Sequence, residues 1–278
     1  MAEPFLPRAV APPDFYLAAM GRSGSTMIAN WLSSPPDQIV FLEPSFLRLP
    51  NTRLLRIQLE NLGLGPDDDQ WKHEDKSASA RFARLMAPRL TGRQWAVKEV
   101  LCTQHVAAIE RLHPQKVLIS VRDIFDVALS FFEKHRLQGN LARFSDDWVA
   151  DYCTRESAGL LKLRDELVER SVPFEIVRYE DFTQSEESRN SVASFVGWRG
   201  GGQSAAHLVT FDRGFEVERH GTGISAERRR SADRALDVRL HRFAQAIAAQ
   251  CADYQRAFGY QPDARLAHEE AETIRTGQ

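Results

Sequence analysis

The chain has 278 residues, 43% of them hydrophobic and 27% charged, with a formal net charge of −2. That is enough chain to bury a sizeable core in one α/β domain of the larger kind. The near-neutral balance gives no long-range electrostatic reason to expect nucleic acid or an anionic membrane as partner. The proline-broken start, Met1–Val10, predicts no signal peptide, and no run approaches the ~18 apolar residues of a membrane span. Cys102, Cys153 and Cys251 are odd in number and lack metal-ligand spacing, which predicts free thiols in a reducing compartment, no disulfide framework and no metal site.

The first apolar run, Phe15–Ala19, predicts a short buried strand, and a helix follows over Thr26–Ser33. Between them stands Gly21-Arg22-Ser23-Gly24-Ser25-Thr26. Such a turn aims unpaired backbone N–H groups and the positive end of a helix dipole at one point, a seat for a phosphate or another tetrahedral oxyanion. Arg22 adds a planar fork of donors, and Ser23, Ser25 and Thr26 add hydroxyls. The loop is not a nucleotide-triphosphate P-loop. That motif needs a Lys after its last Gly, and here Gly24 is followed by Ser25, while Ala19 stands at the first-Gly position.

Further strands are expected at Gln38–Leu42, Gln94–Val97, Gln115–Val121 and Phe174–Arg178. Helical patterns lie between them at Thr52–Leu62, Ser77–Leu90, Cys102–Leu112, Ile124–Leu137 and Ser145–Glu169. Alternation of this kind implies βαβ units and a parallel sheet. Glu43 follows the second strand, where Pro44 stops it, and Lys98 ends the third. The fourth strand runs into Arg122, with Ser130 two turns into the next helix and no acidic residue where a magnesium-holding Asp would be wanted. Ligands of open parallel sheets bind at the carboxyl ends of strands, so the chain offers two anion seats on one edge. Gly63–Asp75 is acidic and Gly/Pro-rich, either a lid over an acceptor or a solvated loop. Trp198–Gln203 reads as a flexible joint. Leu236, Leu240, Phe243, Ile247, Cys251, Tyr254 and Phe258 form an apolar stripe on one long helix ended by Pro262, which docks on its own domain or forms a homodimer face.

The Arg22 loop and the stretch Arg122-Asp123-x-x-Asp126-x-x-x-Ser130 together resemble the sulfotransferases that use 3′-phosphoadenosine 5′-phosphosulfate (PAPS). Ile176–Phe182 is similar to that family's strand ending in Tyr-Glu-Asp-Leu, and Arg219–Ser225 to a shortened form of its Arg-Lys-Gly loop. The resemblance runs from about Phe15 to about Ser225. It implies a single α/β domain over 1–278, with a P-loop-like central parallel sheet flanked by helices. The core would span about 15–225 and a long C-terminal helical extension about 226–262. It also implies that Arg22, Ser23, Gly24, Ser25 and Thr26 hold the 5′-phosphosulfate, and that Arg122, Ser130, Tyr179, Arg219, His220 and Gly221 serve the 3′-phosphate end. PAPS would be the co-substrate and PAP the product, without a metal.

Arg22 and Lys98 are then the groups that meet charge on the sulfonate and the leaving group. Many cytosolic members carry Lys-x-His with the His as base, but Val100 stands there. Another branch, resembling tyrosylprotein and some bacterial carbohydrate sulfotransferases, uses a Glu just past the second strand, which here is Glu43. Glu99 and His105 are the alternatives. An apolar neighbourhood would raise the Glu43 pKa toward neutrality. The acceptor reads only as a small-molecule or carbohydrate alcohol, by resemblance, and the absence of an anchor leans toward a cytoplasmic, bacterial enzyme. A small-molecule kinase of related fold and a non-catalytic nucleotide-binding module are the competing readings.

Overall fold

In the computed structural model the described residues are 5–47, 52–65, 68–72, 75–140, 147–201 and 246–261. Five strands form one parallel sheet: β1 (Phe15–Ala19), β2 (Gln38–Leu42), β3 (Gln94–Glu99), β4 (Lys116–Val121) and β5 (Phe174–Arg178), in the order β2-β3-β1-β4-β5. Side chains alternate between faces along each strand, and over β1 to β4 both faces are covered, while Ile176 on the edge strand β5 is exposed. Tyr16, Ile39, Phe41, Val97, Ile119 and Val121 belong to one buried cluster; Phe15, Leu17, Val40, Leu42, Ala96 and Leu118 belong to the other. That is why the strands read as continuous apolar runs with no polar alternation.

The helices are α1 (Ser25–Leu32), α2 (Thr52–Asn61), α3 (Asp68–Lys72), α4 (Ala78–Leu85), α5 (Ala87–Leu90), α6 (His105–Leu112), α7 (Ile124–Leu137), α8 (Trp148–Glu169), α9 (Tyr179–Gln184), α10 (Glu186–Val196) and α11 (Ala252–Ala257). Several depart from the periodicity. The stripe over Ser77–Leu90 is two helices broken at Met86, because Pro88 lies in the first turn of α5 and cannot continue an existing helix. The start of the Cys102–Leu112 pattern is a 3₁₀ turn, Cys102–Gln104. Helix α3 lies inside the Gly63–Asp75 stretch, and Asp75 is tied to Arg81 and Arg84. Strand β5 ends at Arg178 as expected and Tyr179 opens α9; α10, absent from the periodicity reading, follows with Ser185 accepting from the Ser188 N–H as its cap.

The long C-terminal helix is interrupted where it is described. Residues 246–250 are helical, Cys251 is a turn, and α11 follows; the earlier part of the stripe and Pro262 lie outside the described residues. Of the Trp198–Gln203 joint, Trp198 is an anchor, and 202–203 lie outside the described residues. Trp198 is 4% exposed, packs on Phe15 at 4.8 Å and donates its indole N–H to Asp14 Oδ2 at 2.8 Å. A buried indole with its N–H paired holds the start of this segment against β1. All three cysteines are buried free thiols.

The order of strands places the site. β1 leads through α1 to β2 at one edge of the sheet, and β4 leads through α7 and α8 to β5 at the other edge. The chain therefore leaves these two neighbouring strands in opposite directions, the switch point at whose carboxyl ends open parallel sheets bind ligands.

Candidate functional site

Four loops meet at that edge. After β1 the chain turns through Gly21–Gly24 into α1. Gly24 has φ 85° and no side chain, so the first-turn N–H groups of α1 receive no side-chain cap. A Cβ at Gly24 would run into the ring of Tyr179, and one at Gly21 would lie 2.6 Å from the Tyr152 hydroxyl. Both glycines are thus required by close approach, and Gly24 also by its backbone conformation. Arg22 and Glu43 hold positive φ, 73° and 49°, without being glycine. Such conformations cost about 1–3 kcal/mol each and concentrate at functional sites.

The two predicted anion seats are in direct contact. Arg22 Nε donates to Ser130 Oγ at 3.0 Å, and an Arg122 guanidinium N–H donates to the Arg22 carbonyl at 3.2 Å. The Arg122 guanidinium lies over the Tyr179 ring at 4.5 Å, with Asp126 3.7 Å from its other arm. Tyr179 is thereby wedged between Gly24 and Arg122. Two polar atoms here are buried without a hydrogen-bond partner: Ser23 Oγ, on a residue 0% exposed, and Arg122 Nε. Burying such groups unpaired is costly, and an anion reaching either would offset that cost. Burial, and then the nearby Arg122 charge, hold the Arg22 pKa below its ordinary value.

Glu43 and Lys98 adjoin this seat. Lys98 lies within β3, not past its end, and pairs in register with Leu42 and Leu17. Its side chain is 2% exposed, and its ammonium meets Glu43 Oε1 at 2.5 Å and Thr26 Oγ1 at 3.3 Å. The Glu43 N–H donates to the Lys98 carbonyl at 2.7 Å, which fixes the turn. The expected upward shift of the Glu43 pKa is reversed. The Lys98 charge pulls it below the ordinary carboxylate value, Lys134 and Arg22 add to the pull, and burial only partly opposes them. A carboxylate that is 35% exposed keeps part of its hydration, so the facing cations win.

The alternative bases point elsewhere. Glu99 Oε1 accepts the Ser45 N–H at 2.7 Å, and its side chain leaves the strand on the face opposite Lys98. His105 is fully buried, with Nδ1 2.9 Å from the Tyr16 hydroxyl and Nε2 3.0 Å from the Ala19 carbonyl. Burial presses its pKa down to about 4. Arg219, His220 and Gly221 lie outside the described residues.

Two groups escaped the sequence reading. Lys134 lies one helical turn beyond Ser130 on α7; burial and then Arg22 hold its pKa down, while the Glu43 charge opposes them. Spacing of four from Ser130 was a usable signal, since such residues share a helix face. Tyr152, on α8, donates to the Gly21 carbonyl at 3.2 Å and stacks on Phe131 at 3.9 Å. Nothing local marks it.

With this geometry in view, three solved structures are similar to the chain over most of its length. A sulfotransferase from Alicyclobacillus acidocaldarius is 15% identical with a TM-score of 0.53, covering 92% of this chain and 99% of its own. The fold is that of the sulfotransferases. A sulfotransferase from Mycobacterium avium is 14% identical with a TM-score of 0.52, over 91% of this chain and 78% of that one. The sulfotransferase domain from the curacin biosynthetic pathway is 14% identical with a TM-score of 0.52, over 86% and 99%. No protein-family model and no curated protein matches the chain. Within the sulfotransferase fold, the β1–α1 loop and the β4–α7 segment form one continuous floor, with Glu43 and Lys98 at its β2–β3 side. No helix among the described residues is long and apolar enough to cross a membrane.

Proposed function

We propose that the protein transfers the sulfuryl group of 3′-phosphoadenosine 5′-phosphosulfate to a hydroxyl of a small-molecule or carbohydrate acceptor. The observation that carries this reading is the junction of the two anion seats, where Arg22, Ser130 and Arg122 are linked and two buried donors lack partners. A ligand charged at both ends suits such a floor. The donor supplies the sulfuryl group; the chain supplies charge, orientation and a base. The first-turn amides of α1 with Ser23, Ser25 and Thr26 would hold the 5′ end, and Arg122, Ser130 and Tyr179 the 3′ end. Glu43 takes the acceptor proton as the new oxygen–sulfur bond forms. Arg22 and Lys98 meet the negative charge that leaves with the 5′-phosphate oxygen when the old bond breaks.

Adenosine 3′,5′-bisphosphate is expected to raise the melting temperature, since a ligand at ~100 times its Kd stabilises the native state by about 2.7 kcal/mol. Adenosine 5′-phosphate should do far less, and Arg122→Ala should erase most of the difference. Equal stabilisation of the wild type by both nucleotides would remove the 3′-phosphate seat. Turnover, read by mass spectrometry as acceptor products gaining one sulfonate, should survive a chelator because Arg22 and Lys98 carry the charge stabilisation. Activity lost in chelator and restored by magnesium would favour a kinase instead.

A further inference from the structure

We infer that Tyr254 is a positioning residue for the 3′-phosphate seat, acting through the peptide groups of Arg122; the inference rests on the donor reading above. The β4–β5 ladder ends at the pair Val121 and Arg178, so the polar groups of Arg122 lie just past the last sheet hydrogen bonds. The C-terminal segment supplies what the sheet no longer does. Tyr254, 0% exposed, donates its hydroxyl to the Arg122 carbonyl at 3.0 Å and accepts the Arg122 N–H at 3.3 Å. A second strut runs beside it. Tyr260 donates to Glu180 Oε2 at 2.7 Å, and Glu180 Oε1 accepts the Asp123 N–H at 3.1 Å. The two tyrosine rings lie parallel, 6.3 Å apart, and the Arg178 guanidinium covers Tyr260 at 4.6 Å.

Consecutive backbone units, at 122 and 123, are therefore pinned from α11 and the turn after it. This matters because the contacts at the far end of the Arg122 side chain, one hydrogen bond to the Arg22 carbonyl at 3.2 Å and the Tyr179 ring at 4.5 Å, fix its tip and not its root. Its ion pair to Asp126 spans 3.7 Å, and its Nε is buried without a partner. The direction of the guanidinium is set at its root. An aligned anion seat needs such support, since small misplacements weaken charge-assisted contacts. The apolar stripe read at the C-terminus thus has a task beyond packing: Tyr254 carries a hydroxyl where core packing alone would need none.

The test titrates the full chain, wild type and Tyr254→Phe, with adenosine 3′,5′-bisphosphate and with adenosine 5′-phosphate, well below either melting temperature. Removing one neutral hydroxyl should weaken bisphosphate binding by ~3–10-fold and leave the monophosphate unchanged, so the preference ratio falls. A variant that is less heat-stable yet keeps the wild-type ratio overturns the inference, because the hydroxyl would then be structural only. If Tyr254→Phe does not fold, Tyr260→Phe cuts the second strut; the same fall in ratio supports the brace and an unchanged ratio overturns it. A wild type that shows no preference for the bisphosphate is a different failure, and it overturns the donor reading together with the brace built on it.

Discussion

Glu43→Gln is expected to lower kcat by ~10²–10⁴, the usual worth of a general base, while binding of adenosine 3′,5′-bisphosphate stays near wild type. The amide keeps the shape and can still accept from Lys98, so the 2.5 Å contact survives as a hydrogen bond and only the proton-accepting site is lost. The pH profile gives an independent reading. Lys98 first, then Lys134 and Arg22, hold the Glu43 pKa below its ordinary value. A base works in its deprotonated form, so wild-type activity should rise through that depressed pKa and reach its plateau before the ordinary carboxylate range is passed. Glu99→Gln and His105→Ala are the controls. Glu99 faces the other side of the sheet onto Ser45, and both His105 nitrogens are engaged inside the core. Normal turnover by Glu43→Gln with a dead Glu99→Gln would show that the base has been misplaced.

The parts legible in the sequence were those fixed by local rules. Buried strands wrote themselves as apolar runs, and the turn from β1 into α1 was legible because Gly24, which takes positive φ, is a local fact. What escaped depends on partners far along the chain. The Glu43 pKa was misjudged because its cation arrives from the neighbouring strand, 55 residues away. Trp198 looked like part of a loose joint because its anchor, Asp14, lies 184 residues away. The break at Met86 hid under an apolar stripe that continues across it, although Pro88 was the available signal. Tyr152 and Tyr254 act through single hydroxyls on backbone groups of other loops, and no spacing rule reports such a bond.

Lys98→Met sets two effects of opposite sign against each other. Methionine matches the length and suits a site where the side chain is 2% exposed, so β3 should keep its packing. Losing the ammonium removes the first cause of the low Glu43 pKa, and burial, which raises it, is then opposed only by Lys134 and Arg22. Glu43 becomes a stronger base, by ~1.4 kcal/mol for each pKa unit regained, of which only the part expressed in the transition state speeds the reaction. Against that stands the loss of a fixed cation where charge develops, typically worth ~10²–10³ in kcat for one preorganised group. The lost cation outweighs the stronger base. Turnover should therefore fall by about that factor even as the acid limb of the pH profile moves upward, toward or past the ordinary carboxylate range. The direction of the limb separates the two variants: in Lys98→Met it shifts to higher pH, and in Glu43→Gln it vanishes. A Lys98→Met enzyme with wild-type kcat and an unmoved limb would reduce Lys98 to a strand residue that happens to touch a carboxylate. A fall in kcat with the limb shifted upward would establish that one ammonium both restrains the base and meets the charge of the leaving group.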